Sequence, residues 1–221
     1  MESAIRPGLP RDFRLIETFA WRRNPGFLNL DLHLARMERG ARLFGFAFDR
    51  DRIDAALEEV ARGAVPLRVR LTLGRGDLLE AEAQPFRQGP PIWNTAIARE
   101  RLDPADPWLR VKTTQRALYD RTRAALAPEI HEMIFLNQRG EVCEGTIFNV
   151  FLKVGDQLLT PRLSCGLLPG VLRESLLRSG RAREAVLTVE DLGRGTLMLG
   201  NSLRGLCPAR LVRPAATLAR M

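Results

Sequence analysis

The chain has 221 residues, 45% hydrophobic and 27% charged, with 34 Lys and Arg against 26 Asp and Glu for a net charge of +8. That composition excludes a disordered chain and leaves room for two subdomains, each with a packed core. Nucleic-acid binding is not expected from the charge, because basic residues alternate with acidic ones, as in Arg50-Asp51-Arg52 and Arg99-Glu100-Arg101, with few aromatics to stack bases.

Met1 to Arg14 is charged and interrupted by Pro7 and Pro10, and no apolar run nears the roughly 20 residues that span a bilayer, so a cytoplasmic protein without a membrane partner is expected. Ile16 to Trp21 reads as a strand. After the Asn24-Pro25-Gly26 turn, Leu30, Leu34, Met37, Ala41 and Phe44 recur at helical spacing. Asp49 is a cap for a second helix carrying Ile53, Leu57 and Val60. The alternation Leu67 to Leu73 predicts a strand, turned back by Gly74 to Asp77 onto a partner.

Asp103-Pro104 and Asp106-Pro107 punctuate a connector. The expected organisation is an N-terminal subdomain at 1–101, a connector at 102–110 and a C-terminal subdomain at 111–221. Beyond the connector, Thr113 to Leu126 reads as a helix, Glu132 to Leu136 and Ile147 to Val154 as strands, and Gln138-Arg139-Gly140 as a turn. Gly170 to Ser179 is a short helix, followed by strands at Ala185 to Val189, Thr196 to Leu199 and Leu206 to Val212 and a brief helix at Glu190 to Arg194. Cys143, Cys165 and Cys207 are odd in number and lack ligand spacing, which predicts reduced thiols and no metal site.

Only Lys112 and Lys153 among the basic residues are lysines. Lys153 precedes the Gly155-Asp156 turn and reads as an edge-strand charge. Lys112 has no such role; drift alone could have left it, but lysine, unlike arginine, forms imines and shuttles protons in a shielded site. Gly166-Leu167-Leu168-Pro169-Gly170-Val171-Leu172 runs a loop into a helix start, where Gly170 permits close approach and the amides of Val171 and Leu172 can receive an anion, although a plain turn would look the same. Gly200-Asn201-Ser202-Leu203-Arg204-Gly205 offers a second set of polar donors, or simply a polar turn. Arg36 is placed to reach a phosphate or to sit on a solvated helix face. His33, one turn earlier, reads as packing or capping. Glu144, at the start of an apolar strand, needs a partner, which a protonated pyridine or an arginine can provide.

In this order, Leu32-His33-Leu34-Ala35-Arg36-Met37, Lys112-Thr113-Thr114-Gln115-Arg116-Ala117-Leu118-Tyr119-Asp120, Glu144-Gly145-Thr146-Ile147-Phe148-Asn149, Gly166 to Gly170 and Asn201 to Gly205 resemble class IV aminotransferases, the fold-type IV pyridoxal 5'-phosphate (PLP) enzymes. The resemblance runs from about Ile16 to Val212. It implies a mixed α/β (α+β) fold, two α/β subdomains with the cofactor in the cleft between them, and a homodimer. Lys112 would form the Schiff base and shuttle protons, and Glu144 would pair the pyridine nitrogen. Arg36, Val171, Leu172 and Ser202 would hold the phosphate, with Asn149, Gly170 and Asn201 completing the cofactor site.

Within the family, Lys-Thr-Thr-x-Arg-x-x-Tyr-Asp and Asn-Ser-x-Arg-Gly are most similar to 4-amino-4-deoxychorismate lyases. That implies a small amino substrate, proton removal through Lys112 and loss of pyruvate to leave 4-aminobenzoate. Arg116, Tyr119 and Arg204 are the candidate substrate contacts. Aminotransferases of this fold usually carry a tyrosine five residues after the lysine, where this chain has Ala117. Amino transfer to a 2-oxo acid is the alternative, and a non-catalytic basic binding protein is a third reading.

Overall fold

The computed structural model describes residues 12–76 and 78–212, so Asp77 and the expectations for Met1 to Arg11 lie outside the described residues. The first sheet is antiparallel, in the order β2-β1-β3-β4. It comprises β1 (Leu15–Arg22), β2 (Gly26–Phe27), β3 (Leu67–Leu73) and β4 (Leu79–Pro85). Two helices, α1 (Leu30–Phe44) and α2 (Arg50–Val60), supply Leu34, Met37, Phe44, Ile53 and Leu57 to a core shared with Leu15, Phe19, Val69 and Leu71 of the sheet. Asp49 caps α2 as expected, its side chain accepting from the Arg52 amide. At Gly40 helix α1 comes so near β1 that an added Cβ would stand 2.7 Å from Leu15 Cδ2.

The second sheet comprises β5 (Trp93–Leu102), β6 (Glu132–Asn137), β7 (Val142–Gly145), β8 (Asn149–Val154), β9 (Gln157–Pro161), β10 (Arg183–Ala185), β11 (Thr196–Asn201) and β12 (Gly205–Leu211). Their order is β10-β9-β8-β11-β12-β5-β6-β7, with β7 also pairing β8. Six strands therefore close on themselves, and the Glu144–Asn149 pair is the seam. Two short helices, α3 (Ala117–Ala124) and α4 (Val171–Arg178), lie against β6 and β11 respectively.

Strand β5 corrects the expected boundary. The sequence puts residues 93–101 in the N-terminal subdomain, yet β5 pairs in parallel with β6 and β12 of the second sheet. The chain therefore changes sheets before Trp93, and the expected connector at 102–110 is a return towards the first sheet. Its Trp108 packs against the first core and its Leu109 against the second. The return ends with the Lys112 carbonyl accepting from Ile16 N at 3.0 Å and Thr114 N donating to Arg14 O at 2.9 Å.

That docking also shortens the expected helix at Thr113 to Leu126. Residues 112–116 are held to β1, and α3 begins only at Ala117. Likewise the expected strand Ile147 to Val154 starts at Asn149, because residues 145–148 make the turn from β7 to β8. Lys153 is exposed, but β8 lies inside the sheet between β9 and β11. The strand expected at Ala185 to Val189 is the shorter, earlier β10, paired in parallel with β9. Among the described residues no helix is long and apolar enough to cross a membrane, and all three cysteines are free thiols.

Candidate active site

Between the two sheets lies a cavity of about 520 Å3, a size suited to a small ligand. Arg36, Lys112, Arg116, Tyr119, Glu144, Asn149, Gly170, Val171, Asn201, Ser202 and Arg204 all line it. Leu172 does not; its side chain packs with Phe151 and Leu176 behind the helix. Segments distant in sequence meet here because the return at 103–116 carries Lys112 from the second sheet back to β1.

Lys112 is partly buried. Removal of its ammonium from water, helped by Arg36 and Arg116 and opposed by Glu17 and Glu144, brings its pKa down to about 8. On the order of a tenth of the side chain is then free amine at pH 7, far more than for an ordinary lysine, as a nucleophile or proton acceptor requires.

Glu144 sits on β7 at the barrel seam. Its Oε1 accepts from the Tyr119 hydroxyl at 2.7 Å and its Oε2 from the Leu168 amide at 3.1 Å. Burial pushes its pKa up to about 7 despite these bonds and the Lys112 charge. Tyr119, the single tyrosine of the chain, is raised well above its ordinary range by burial and by Glu144, and so stays a neutral donor. Across the seam, Asn149 Nδ2 donates to Leu168 O at 3.0 Å. Glu144 and Asn149 thus grip both backbone groups of Leu168, which fixes the loop leading into α4.

Gly170 caps α4 without any side-chain hydrogen bond, leaving the first amides of the helix as free donors. A Cβ at Gly170 would lie 1.9 Å from Asn149 Oδ1, so only glycine fits. The uncapped helix start therefore faces the cavity with its backbone bare.

Arg36 occupies this end of the cavity in a way the sequence did not indicate. Its Nε and Nη2 grip Glu17 at 2.8 and 2.6 Å, and its Nη1 donates to Pro169 O at 3.1 Å. Three of its five N–H donors are engaged and two remain. Glu17 was missed: it is the lone carboxylate in the apolar strand β1, 1% exposed, and such a charge must be paired. Burial raises its pKa, but Arg36 and His33 prevail and hold it at about 2.

His33 does more than pack. Its Nδ1 meets Glu17 Oε2 at 2.5 Å and its Nε2 meets Ser202 Oγ at 2.8 Å. Asn29, in the left-handed region at φ 56°, donates to the same Oγ at 3.3 Å. Asn201 ties the turn after β11 to Ile147 O, while its Oδ1 accepts from Arg204 N.

The proposed substrate contacts are also anchored. Arg116 bonds Asp120 and the Thr146 carbonyl, both at 2.8 Å. Arg204 donates to Arg87 O at 2.9 Å and lies 5.3 and 5.5 Å from the Phe86 and Trp93 ring centres. A second missed residue, Glu132, is fully buried and accepts from Thr146 N and Oγ1 at 2.9 and 2.6 Å, which pins the turn after Glu144.

A Schizosaccharomyces pombe protein provisionally named an aminodeoxychorismate lyase is 29% identical over 194 residues, covering 83% of this chain and 84% of its own. A solved Mesorhizobium loti structure, provisionally named an amino-acid aminotransferase, is 46% identical with a TM-score of 0.86, covering 91% of this chain and all of the other. Another solved structure, provisionally named a 4-amino-4-deoxychorismate lyase, is 26% identical with a TM-score of 0.77, covering 91% and 85%. The family model for class IV aminotransferases matches residues 14–212, which include the sheet-to-sheet return, the barrel seam and every wall of the cavity, and the chain belongs to that family.

Proposed function

We propose that the protein is a PLP-dependent lyase that holds the cofactor on Lys112 and converts 4-amino-4-deoxychorismate to 4-aminobenzoate and pyruvate. The observation that carries this reading is the meeting, in one cavity, of a lysine with pKa about 8, a buried carboxylate and an uncapped helix start. These three groups fit an aldehyde, a ring nitrogen and a phosphate. When bound, the cofactor supplies an electron sink for a carbanion beside the substrate nitrogen.

The protein's own groups supply the rest. Lys112 accepts and returns the proton, since its amine is partly free near neutral pH. Glu144 offers a carboxylate fixed at both oxygens for a ring N–H. The free amides of α4 and the remaining donors of Arg36 favour an anion at the other end. Arg116 and Arg204 add positive charge for substrate carboxylates.

Two features favour elimination over amino transfer. Ala117 has no hydroxyl for the cofactor ring, and the lone Tyr119 is committed to Glu144. Amino transfer to a 2-oxo acid is the second reading, favoured by the aminotransferase name of the relative at 46% identity. The working form is taken as a homodimer, which light scattering of the purified protein would check.

The test is an absorbance spectrum of the protein with PLP, before and after borohydride, beside Lys112→Ala. A visible band made permanent on Lys112 is expected, followed by pyruvate release from aminodeoxychorismate. No band, or an unchanged band in the variant, would remove the Lys112 assignment; amino transfer without pyruvate release would establish the second reading.

A further inference from the structure

Glu17, His33 and Ser202 form a hydrogen-bonded chain that runs from beneath β1 to the cavity wall. Glu17, held ionised, can only accept, so the His33 Nδ1 that meets it at 2.5 Å carries a hydrogen. In a neutral ring Nε2 is then an acceptor, and the Ser202 hydroxyl must donate to it across 2.8 Å. Ser202 Oγ also accepts from Asn29 Nδ2. The only hydroxyl proton of Ser202 thus points at His33, leaving a lone pair for the cavity. A lone pair repels an anion.

Resting on the PLP reading above, together with the place beside the phosphate that the family resemblance implies for Ser202, we propose that His33 takes up a proton when a phosphate dianion binds, freeing Ser202 to donate its hydroxyl to the anion. The balance is simple. One solvent proton bonds to Nε2, the Ser202 hydroxyl leaves Nε2 for a phosphate oxygen, and Nε2–H then donates back to Oγ. Oγ accepts from His33 and Asn29 and donates to the anion, so its bonding capacity is filled.

The charged groups facing His33 are Glu17 from β1, Arg36 from its own helix and Lys112 from the docked return; Ser202 and Asn29 are neutral. Burial, Arg36 and Lys112 keep the ring neutral without ligand, against the pull of Glu17. A dianion adds negative charge to that set and reverses the balance. His33 is therefore a positioning residue for the anion rather than a catalytic one. Glu17 serves both sides, fixing the Arg36 fork and the His33 tautomer with one carboxylate.

The chain has two histidines, which makes the test direct. Ring-nitrogen NMR of the full-length protein is recorded without and with pyridoxine 5'-phosphate, which lacks the aldehyde needed to react with Lys112, at about pH 8, where the phosphate is a dianion. His33 should change from one protonated nitrogen to two. His131, whose Nδ1 accepts from Asn94 N at 2.9 Å, should not change. In Ser202→Ala the dianion still acts on His33, but no Oγ remains to accept from Nε2–H or to pass a hydroxyl to the anion, so proton uptake should be clearly smaller than in the wild type. A neutral His33 in the liganded wild type, a doubly protonated one before ligand, or the same uptake in Ser202→Ala would each overturn the inference while the phosphate site stands. Failure of pyridoxine 5'-phosphate to bind would remove the phosphate site and the inference together.

Discussion

Lys112 at about 8 and Glu144 at about 7 both titrate close to neutrality, and each owes this first to burial. For Glu144 the opposing help comes mainly from one phenol. Removing a donor to a charged acceptor costs about 1.5–3 kcal/mol, so Tyr119→Phe should move the Glu144 pKa further up. Infrared titration of the buried carboxyl would register this, and an unchanged midpoint would mean that the Leu168 amide and Lys112 alone hold the charge. The sequence named Lys112, Glu144 and Tyr119 because lysine scarcity and local motif mark them. It did not reveal Glu17 or Glu132, because a carboxylate in a strand looks the same whether it faces solvent or an arginine brought from another element. Nor did it show that the Arg36 fork grips Glu17, which is a property of the β1–α1 packing.

At the level of elements, the strands and helices with clean periodicity emerged where expected: β1, α1, α2, β3 and β11. The failures share a cause. Strand β5 carries Arg99-Glu100-Arg101 just before its last residue, which breaks the apolar pattern of a strand, and its register with β6 shifts between Ile97 and Arg101. Its identity as a strand depends on parallel partners far away in sequence. The 112–116 segment loses its helical start to hydrogen bonds with β1, a tertiary preference that propensity does not record. The junction of β8, Leu168 and α4 supports a sharper expectation. Gly170→Ala places a methyl group against Asn149, so either the Asn149–Leu168 bond breaks or the α4 start shifts. Overpacking of this kind costs about 1–3 kcal/mol. The variant should fold and lose affinity for PLP more than thermal stability, as fluorescence titration and calorimetry together would show. Equal affinity with lower stability would place the anion elsewhere.

The whole molecule pays in stability for carrying these groups in one cleft, and pH separates their contributions. Glu17, with a lowered pKa, contributes stability that is present above about 4.5 and lost as the pH falls towards about 2. Glu144 has the opposite sign: the folded protein binds the extra proton between about 4.5 and about 7, so stability falls as the pH rises through that window. Lys112 is lowered, so the unfolded chain holds more protons between about 8 and 10.5, and stability recovers as the pH rises there. Between about pH 4.5 and 10.5, Glu144 and Lys112 together should thus make the cofactor-free protein weakest near pH 7–8. Lys112→Met keeps the stem and removes the buried charge, and it should raise the melting temperature at pH 7 by a few degrees, about 1–2 kcal/mol. The advantage should shrink as the pH rises from about 8 to 10.5, because the wild-type amine then becomes neutral in both states. A variant that instead melts below the wild type at pH 7 would mean that Glu17 and Glu144 hold the ammonium more strongly than burial disfavours it, and that the cleft is built for a charged lysine rather than a free amine.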